Sequence, residues 1–293
     1  MTEETINTSN EVLKKKKNSI YKNWKIKLAS IPVIIFILLG IFGPLIMNFD
    51  PLETYTDQRL LSPGTPLKDG SIAWLGTDQL GRNVLYQIIY GARISLLVSL
   101  ATVFVGGSIG VALGLVSGYF GGIIDSIIMR IADIQLAFPA ILLAILIAGV
   151  LGPSVTNIII TLSITRWVTF ARVTRSATLS TKKRSFVDSA KALGASRLKI
   201  LFKYILPMCV SSIMVIVTVQ LGLVIISEAS LSFLGLGVPS SQPSWGYLIS
   251  LGRDYINSAW WIATMPGIAL SILVVSVGYM GDKLRDVLDT SLE

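Results

Sequence analysis

Arg166, Gln220 and Glu228 are the polar side chains that interrupt long apolar runs of this sequence. An ionisable group at membrane depth is expensive unless it is paired or wetted, so these three are candidates for a solute path through a bilayer or for pairing between helices. A second functional spacing lies in "SFVDSAKALGASRLKILFKYILP", residues 185–207. Its first half places Phe186, Ala190 and Leu193 at i, i+4 and i+7. The second half places Leu198, Leu201, Phe202 and Ile205 at i, i+3, i+4 and i+7. Gly194 stands between the halves, where a helix end favours a residue free to enter the left-handed region, and Ser196 can cap the next helix. Pro207 suits the start of the following segment. The spacing predicts helix, turn, helix, and an amphipathic pair of this kind either lies on a lipid surface or docks into a groove of another protein.

Other chemistries have little to draw on. The chain has one cysteine, Cys209, and no histidine. It can therefore form no internal disulfide, His-based metal site, or Ser-His or Cys-His nucleophile, and no catalytic or metal-binding residue is assigned. No Gly-Lys dipeptide occurs, so a P-loop for ATP is excluded and no cofactor is expected to bind the chain directly. Two aspartates could serve an intramembrane hydrolase, yet none pair within the apolar segments.

The elements that must position these residues follow from composition. Hydrophobic residues make up 52% of the 293 and charged residues 14%, with a mean hydropathy of +0.70. That composition is richer in apolar residues than a soluble domain of this size needs and points to a polytopic membrane protein. A span takes about 20 apolar residues to cross roughly 30 Å. Six are expected, at residues 29–47, 94–119, 127–151, 155–173, 207–234 and 261–280. Arg166 is then expected toward the cytoplasmic part of the fourth and Glu228 near the outer end of the fifth. Gly106, Gly110, Gly114, Gly118 and Gly122 recur every four residues through the second span and past its end. Such a stripe lets another helix approach closely.

The net charge of +8 is distributed as the positive-inside bias requires, not as a nucleic-acid surface. Residues 1–27 hold seven lysines and residues 172–203 hold nine Lys and Arg, whereas 48–91 hold three basic residues against five acids. Both termini and the 172–203 loop are expected in the cytoplasm, with "KKKK" at 14–17 orienting the chain and meeting lipid. Residues 48–81 read as an external loop with little regular structure. Residues 238–261 suggest a short interfacial helix with its tryptophans at headgroup depth.

The stretch "FVDSAKALGASRLKILFKYILP" resembles the EAA loop of ABC-importer permeases, whose pattern is Glu-Ala-Ala, three residues, Gly and a spacer ending in Leu-Pro. Asp188, Ser189 and Ala190 fill the triplet, Gly194 the glycine, and Leu206 and Pro207 the close. "LGTDQLGRNVLYQIIYGARISL" (75–96), "SEASLSFLGLGVPSSQPSWG" (227–246) and "GDKLRDVLD" (281–289) are similar to signatures of the second permease subunit of peptide and nickel importers. Asn83 replaces a more usual aspartate, and Thr290 an expected proline.

The resemblance implies an all-α bundle of six transmembrane helices that is not itself an enzyme. A cytoplasmic tail at 1–28 and a first helix with its external loop at 29–92 precede the permease domain at 93–293, whose coupling loop lies at about 183–207. It implies a homologous second permease, two ABC ATPase subunits that use ATP, an extracytoplasmic substrate-binding protein, surrounding lipid and no nucleic acid. Residence in the plasma membrane of a bacterium follows from the same family. Phe186, Asp188, Ser189, Ala190, Leu193, Gly194, Leu198, Leu206 and Pro207 are its ATPase-coupling candidates. The cargo is expected to be oligopeptide, with nickel or a metal chelate as the alternative. An ion-driven secondary transporter is the rival class, and the midplane charges and inverted repeats it calls for are not seen in the sequence.

Overall fold

The computed structural model describes residues 24–46, 50 and 53–289. The lysine run at 14–17, the tail before residue 24 and Thr290 lie outside the described residues. Among the described residues nine helices carry the fold: α1 (Trp24–Ile46), α2 (Val84–Phe120), α3 (Gly122–Leu136), α4 (Ala140–Leu151), α5 (Val155–Lys182), α6 (Ser185–Ala192), α7 (Arg197–Phe233), α8 (Trp245–Gly252) and α9 (Trp261–Asp289). Among the described residues α2, α7 and α9 are each long and apolar enough to cross a membrane.

The third expected span is not one helix. It is split into α3 and α4, which meet at 87°. The cause is local: Pro139 has no N–H to donate and disfavours helical backbone at Phe138, so the chain turns there and restarts at Ala140. The fourth expected span lies within α5, whose buried face is largely polar, with Thr161, Ser163, Thr165, Thr174, Thr178 and Thr181 all enclosed. Its position explains this composition, because α5 is packed between α2 and α7 and its hydroxyls can return to the backbone, as Thr165 Oγ1 does to the Leu162 carbonyl at 2.9 Å.

The segment before α2 is ordered beyond its sparse secondary structure. Two short strands, β1 (Thr65–Pro66) and β2 (Ile72–Ala73), pair antiparallel with Thr65 opposite Ala73. Thr77 then ties the loop together, donating to the Gln58 carbonyl at 2.6 Å while its hydroxyl accepts from the Leu61 N–H at 2.8 Å. Asp78 and Arg82 form a buried ion pair at 2.7 Å. Gly81 has φ +80°, and a Cβ there would overlap the Tyr55 carbonyl, so the close crossing of the two strands of this loop requires glycine. Asn83 caps α2 by accepting from the Leu85 N–H at 3.0 Å, a role aspartate would fill equally.

Among the described residues three apolar cores hold the bundle. One joins α1, α2, α8 and α9 around Trp245 and Leu273; another joins α2, α4, α5 and α7 around Phe170 and Leu162; the third seats α6 and the start of α7 on the end of α2 around Leu115, Val187 and Ile205.

Candidate functional site

The helix pair at 185–207 exists, but its faces are not distributed as the spacing predicts. Helix α6 ends in two reciprocal bonds, from the Ala195 N–H to the Ala190 carbonyl at 3.0 Å and from the Gly194 N–H to the Lys191 carbonyl at 2.9 Å. Gly194 has φ +75°, the left-handed residue this C-terminal motif needs. Because the helix stops at Ala192, Leu193 falls outside its register and is 87% exposed. Burial goes instead to Val187 and Ala190, packed against Leu115, Tyr119 and Ile205, with Phe186 half-buried. Asp188 is exposed and pairs with Lys191 at 2.9 Å; Ser189 is exposed and donates to the Ser185 carbonyl at 3.1 Å.

The second half of the pair is the beginning of α7. Ser196 caps it, accepting from the Lys199 N–H at 3.4 Å, and the helix continues from Arg197 to Phe233. Pro207 therefore opens no separate span. It lacks the N–H that would continue the α ladder, and residues Ile200–Ile205 widen into a π turn in which the Leu206 N–H reaches the Leu201 carbonyl. Pro207 itself is exposed and Leu206 half-buried. Leu201 and Ile205 face the core, while Leu198 at 64% and Phe202 at 57% join Leu193 as exposed apolar side chains. Leu198 and Phe202 thus stand on the first turns of a helix that continues to Phe233, and Leu193 on the turn just before it.

The glycine stripe of α2 meets α5 of the same chain. A Cβ on Gly106 would lie 3.1 Å from the Ser163 carbonyl oxygen, one on Gly114 2.4 Å from that of Ala171, and one on Gly118 2.7 Å from Thr178 Cβ. At Gly110 the Trp167 carbonyl is closer still, at 2.3 Å. Since rising numbers on α2 meet rising numbers on α5, the helices run parallel in backbone contact. Gly122, read as the next member of the stripe, has φ +56° and no neighbour; it starts α3 after the turn. Beyond the stripe, Arg175 of α5 clamps Asp125 of α3 through two bonds of 2.5 Å, and Lys182 donates to the Tyr119 carbonyl at 2.6 Å.

Glu228 is fully buried. Ser95 of α2 and Ser232 of α7 donate to its two oxygens at 3.1 and 2.7 Å, and Ser244 also hydrogen-bonds it. Ser95 in turn accepts from the Trp245 N–H at 3.3 Å, and Ser232 from the Val238 N–H at 3.4 Å. The carboxylate thereby fixes both ends of the connection between α7 and α8 to α2. Trp245, expected at headgroup depth, is instead completely enclosed and donates its indole N–H to the Ile88 carbonyl at 2.8 Å. Gly246 has to be glycine here, because a Cβ would sit 2.4 Å from the Ala229 carbonyl oxygen.

Arg166 reaches this knot through its long side chain. Its guanidinium donates to Ser227 Oγ at 2.5 Å, one residue from Glu228. Helix α7 returns alongside α5, so a side chain midway down one reaches the other near its end. Gln220, also buried, lies two turns earlier on α7, and its Oε1 has no partner among the described residues. The sequence reading missed Ser95, Ser232, Ser244 and Trp245. A serine in the apolar run of α2 was the available signal, but nothing local pairs it with a glutamate 133 residues away.

We expect Glu228→Gln to be tolerated at a cost of about 1 kcal/mol, because an amide can still accept from one serine and donate to another. Glu228→Leu should cost several times as much, since it leaves buried hydroxyls unpaired at about 1 to 3 kcal/mol each. Thermal unfolding midpoints of the detergent-solubilised variants check this; equal midpoints for the two would show that the carboxylate does not organise this region.

The matches to known proteins cover the same elements. Residues 110–292 match the family model described as "Binding-protein-dependent transport system inner membrane component". The chain belongs to this family. It is 40% identical over 272 residues to the dipeptide transport system permease protein DppC of Alkalihalophilus pseudofirmus, covering 92% of this chain and 88% of that one. Identity to the di/tripeptide transport system permease protein DppC of Pseudomonas aeruginosa is 37%, covering 89% and 86%. With the glutathione transport system permease protein GsiD of Escherichia coli it is 42%, covering 90% and 86%. An inward-facing structure of the MetNI methionine ABC transporter shares the fold at 20% identity and a TM-score of 0.57, over 70% of this chain and 97% of that one.

As a member of this family the protein is a multi-pass membrane permease subunit of an ABC importer, of the type to which DppC belongs. The residues matched to the family model include the helix pair at 185–207, Glu228 and the α7–α8 connection. They also include the glycine stripe from Gly110 onward, so the parallel α2–α5 contact falls mostly within the family's own domain.

Proposed function

We propose that this permease subunit forms half of a path for the uptake of short peptides, and that Leu193, Leu198 and Phe202 seat it on a separate ATPase. The observation that carries this reading is the unbroken run of α7 from that exposed apolar knuckle to the Glu228 knot. Apolar groups on a short helix pair bury area in a groove without a deep interface, and a continuous helix passes any movement of the knuckle to the far end of the membrane domain. Closure of two ATPases on ATP would thus rock α7, with α6, against α2 and α5. Arg166, which reaches α7, and Gln220, which lies on it, are polar groups available to the path.

The peptide cargo is supported by the names of the relatives, which carry dipeptides, di/tripeptides or glutathione. The basic residues at 1–27 and 172–203 support a cytoplasmic position for the knuckle and both termini, with six passages through the plasma membrane of a bacterium if α3 and α4 count as one and α1 and α5 each cross. Residues 1–28 then hold the cytoplasmic tail and the entry to α1, 29–92 the rest of α1, the external loop and the start of α2, and 93–293 the permease domain. The loop at 53–83 and helix α8 lie on the opposite face, where a substrate-binding protein would deliver cargo. A homologous second permease completes the path.

Liposomes containing this chain, its second permease, both ATPases and the binding protein should take up a radiolabelled tripeptide only with hydrolysable ATP, and faster with the binding protein. The chain alone should accumulate none under an imposed proton gradient. Gradient-driven accumulation by the isolated subunit would instead make it a secondary transporter.

A further inference from the structure

We propose that the groove between α1 and α2 holds one anionic phospholipid, with its phosphate on Arg93 and an acyl chain along the two helices. The groove has a volume of about 540 Å³ and is walled by Ile37, Ile41 and Leu45 of α1 and by Leu97 and Leu100 of α2. Its floor is a close crossing, because a Cβ on Gly40 would lie 3.2 Å from the Arg93 backbone nitrogen.

One face of α2 runs Tyr86, Tyr90, Arg93, Leu97, Leu100, Phe104, spaced by four and three residues in alternation. The tyrosines are half-buried, and Leu97, Leu100 and Phe104 are exposed. The order aromatic, cationic, apolar is that of a helix leaving the headgroup layer and entering hydrocarbon, which places Arg93 at the boundary. In α-helices side chains lean toward the N-terminus, so the guanidinium reaches back toward the tyrosines and the headgroups.

Arg93 is exposed and has no ion-pair or hydrogen-bond partner among the described residues. A guanidinium at this depth needs an anion, and its planar fork of donors matches phosphate. Among the described residues no carboxylate lines the groove, so none of them pairs with the ammonium of a zwitterionic headgroup. That asymmetry favours a lipid with net negative charge.

The test is native mass spectrometry of the subunit with its partner permease, released from membranes of equal phosphatidylglycerol and phosphatidylcholine. The wild type should retain one phosphatidylglycerol per copy with about tenfold preference, the size of a charge-assisted hydrogen bond. Arg93→Lys should keep most of that preference and Arg93→Gln should erase it. Leu97→Trp, which fills the groove but spares the cation, should lower retention and carries the test if Arg93→Gln fails to fold. Undiminished preference in Arg93→Gln would overturn the proposal. So would release of the second permease by Arg93→Gln with lipid retention unchanged, because the groove would then be covered by protein.

Discussion

Gly114→Leu is expected to prevent this subunit from folding. Even the first added carbon would sit 2.4 Å from the Ala171 carbonyl oxygen, 2.9 Å from Thr174 Cβ and 3.0 Å from the Arg175 N–H nitrogen. Two of these three are backbone atoms of α5, which cannot rotate aside as a flexible side chain can. Overpacking usually costs about 1 to 3 kcal/mol, and a clash with helix backbone at the centre of the longest helix contact should exceed that range. Relief would require α2 and α5 to separate, which would also pull Arg175 from Asp125. The measurement is the yield of monodisperse protein and its thermal midpoint in detergent. Gly149→Leu is the matched control, because an exposed helical glycine with open space around it should accept the same side chain with little loss. A Gly114→Leu protein with the midpoint and transport of the wild type would show that α2 and α5 are not in this contact.

The second large effect is expected at the coupling knuckle. Gly194→Pro removes the N–H bonded to the Lys191 carbonyl and demands a φ near −65° where the backbone has +75°. The turn between α6 and α7 should be lost, while Val187, Ile205 and the membrane helices keep their packing. We therefore expect normal insertion, no co-purification with the ATPase and no transport. Gly194→Ala should fall between, at about 1 to 2 kcal/mol of local strain. A reporter comes from Leu193→Cys, which exposes a thiol while the native Cys209 is fully buried and silent. That thiol should react with an impermeant maleimide only from the cytoplasmic side, and bound ATPase should protect it. Labelling from outside intact cells would reverse the assigned orientation, and intact co-purification of Gly194→Pro would place the ATPase contact elsewhere.

The sequence alone determined that this chain is a helical membrane protein and where the turn between α6 and α7 lies. Apolar runs of about 20 residues report their own environment, and a helix end that uses Gly194 in the left-handed region is encoded within six residues. The stripe of small residues was likewise legible as a close-contact surface, since its spacing is a property of one helix. The tertiary structure decided what lay against it: α5, whose threonines look too polar for a buried helix until α2 and α7 are placed around it. Leu193 reads as part of an apolar face by counting, but the helix stops one residue earlier and the side chain turns outward. Trp245 reads as an interfacial aromatic, yet Ile88 and Phe36, distant in sequence, enclose it. The partners of Glu228 were the least legible, because Ser95 comes from 133 residues away. Periodicity and capping act over one or two turns and can be read along the chain; the burial of a polar side chain depends on which distant segments satisfy it, and only the folded arrangement supplies them.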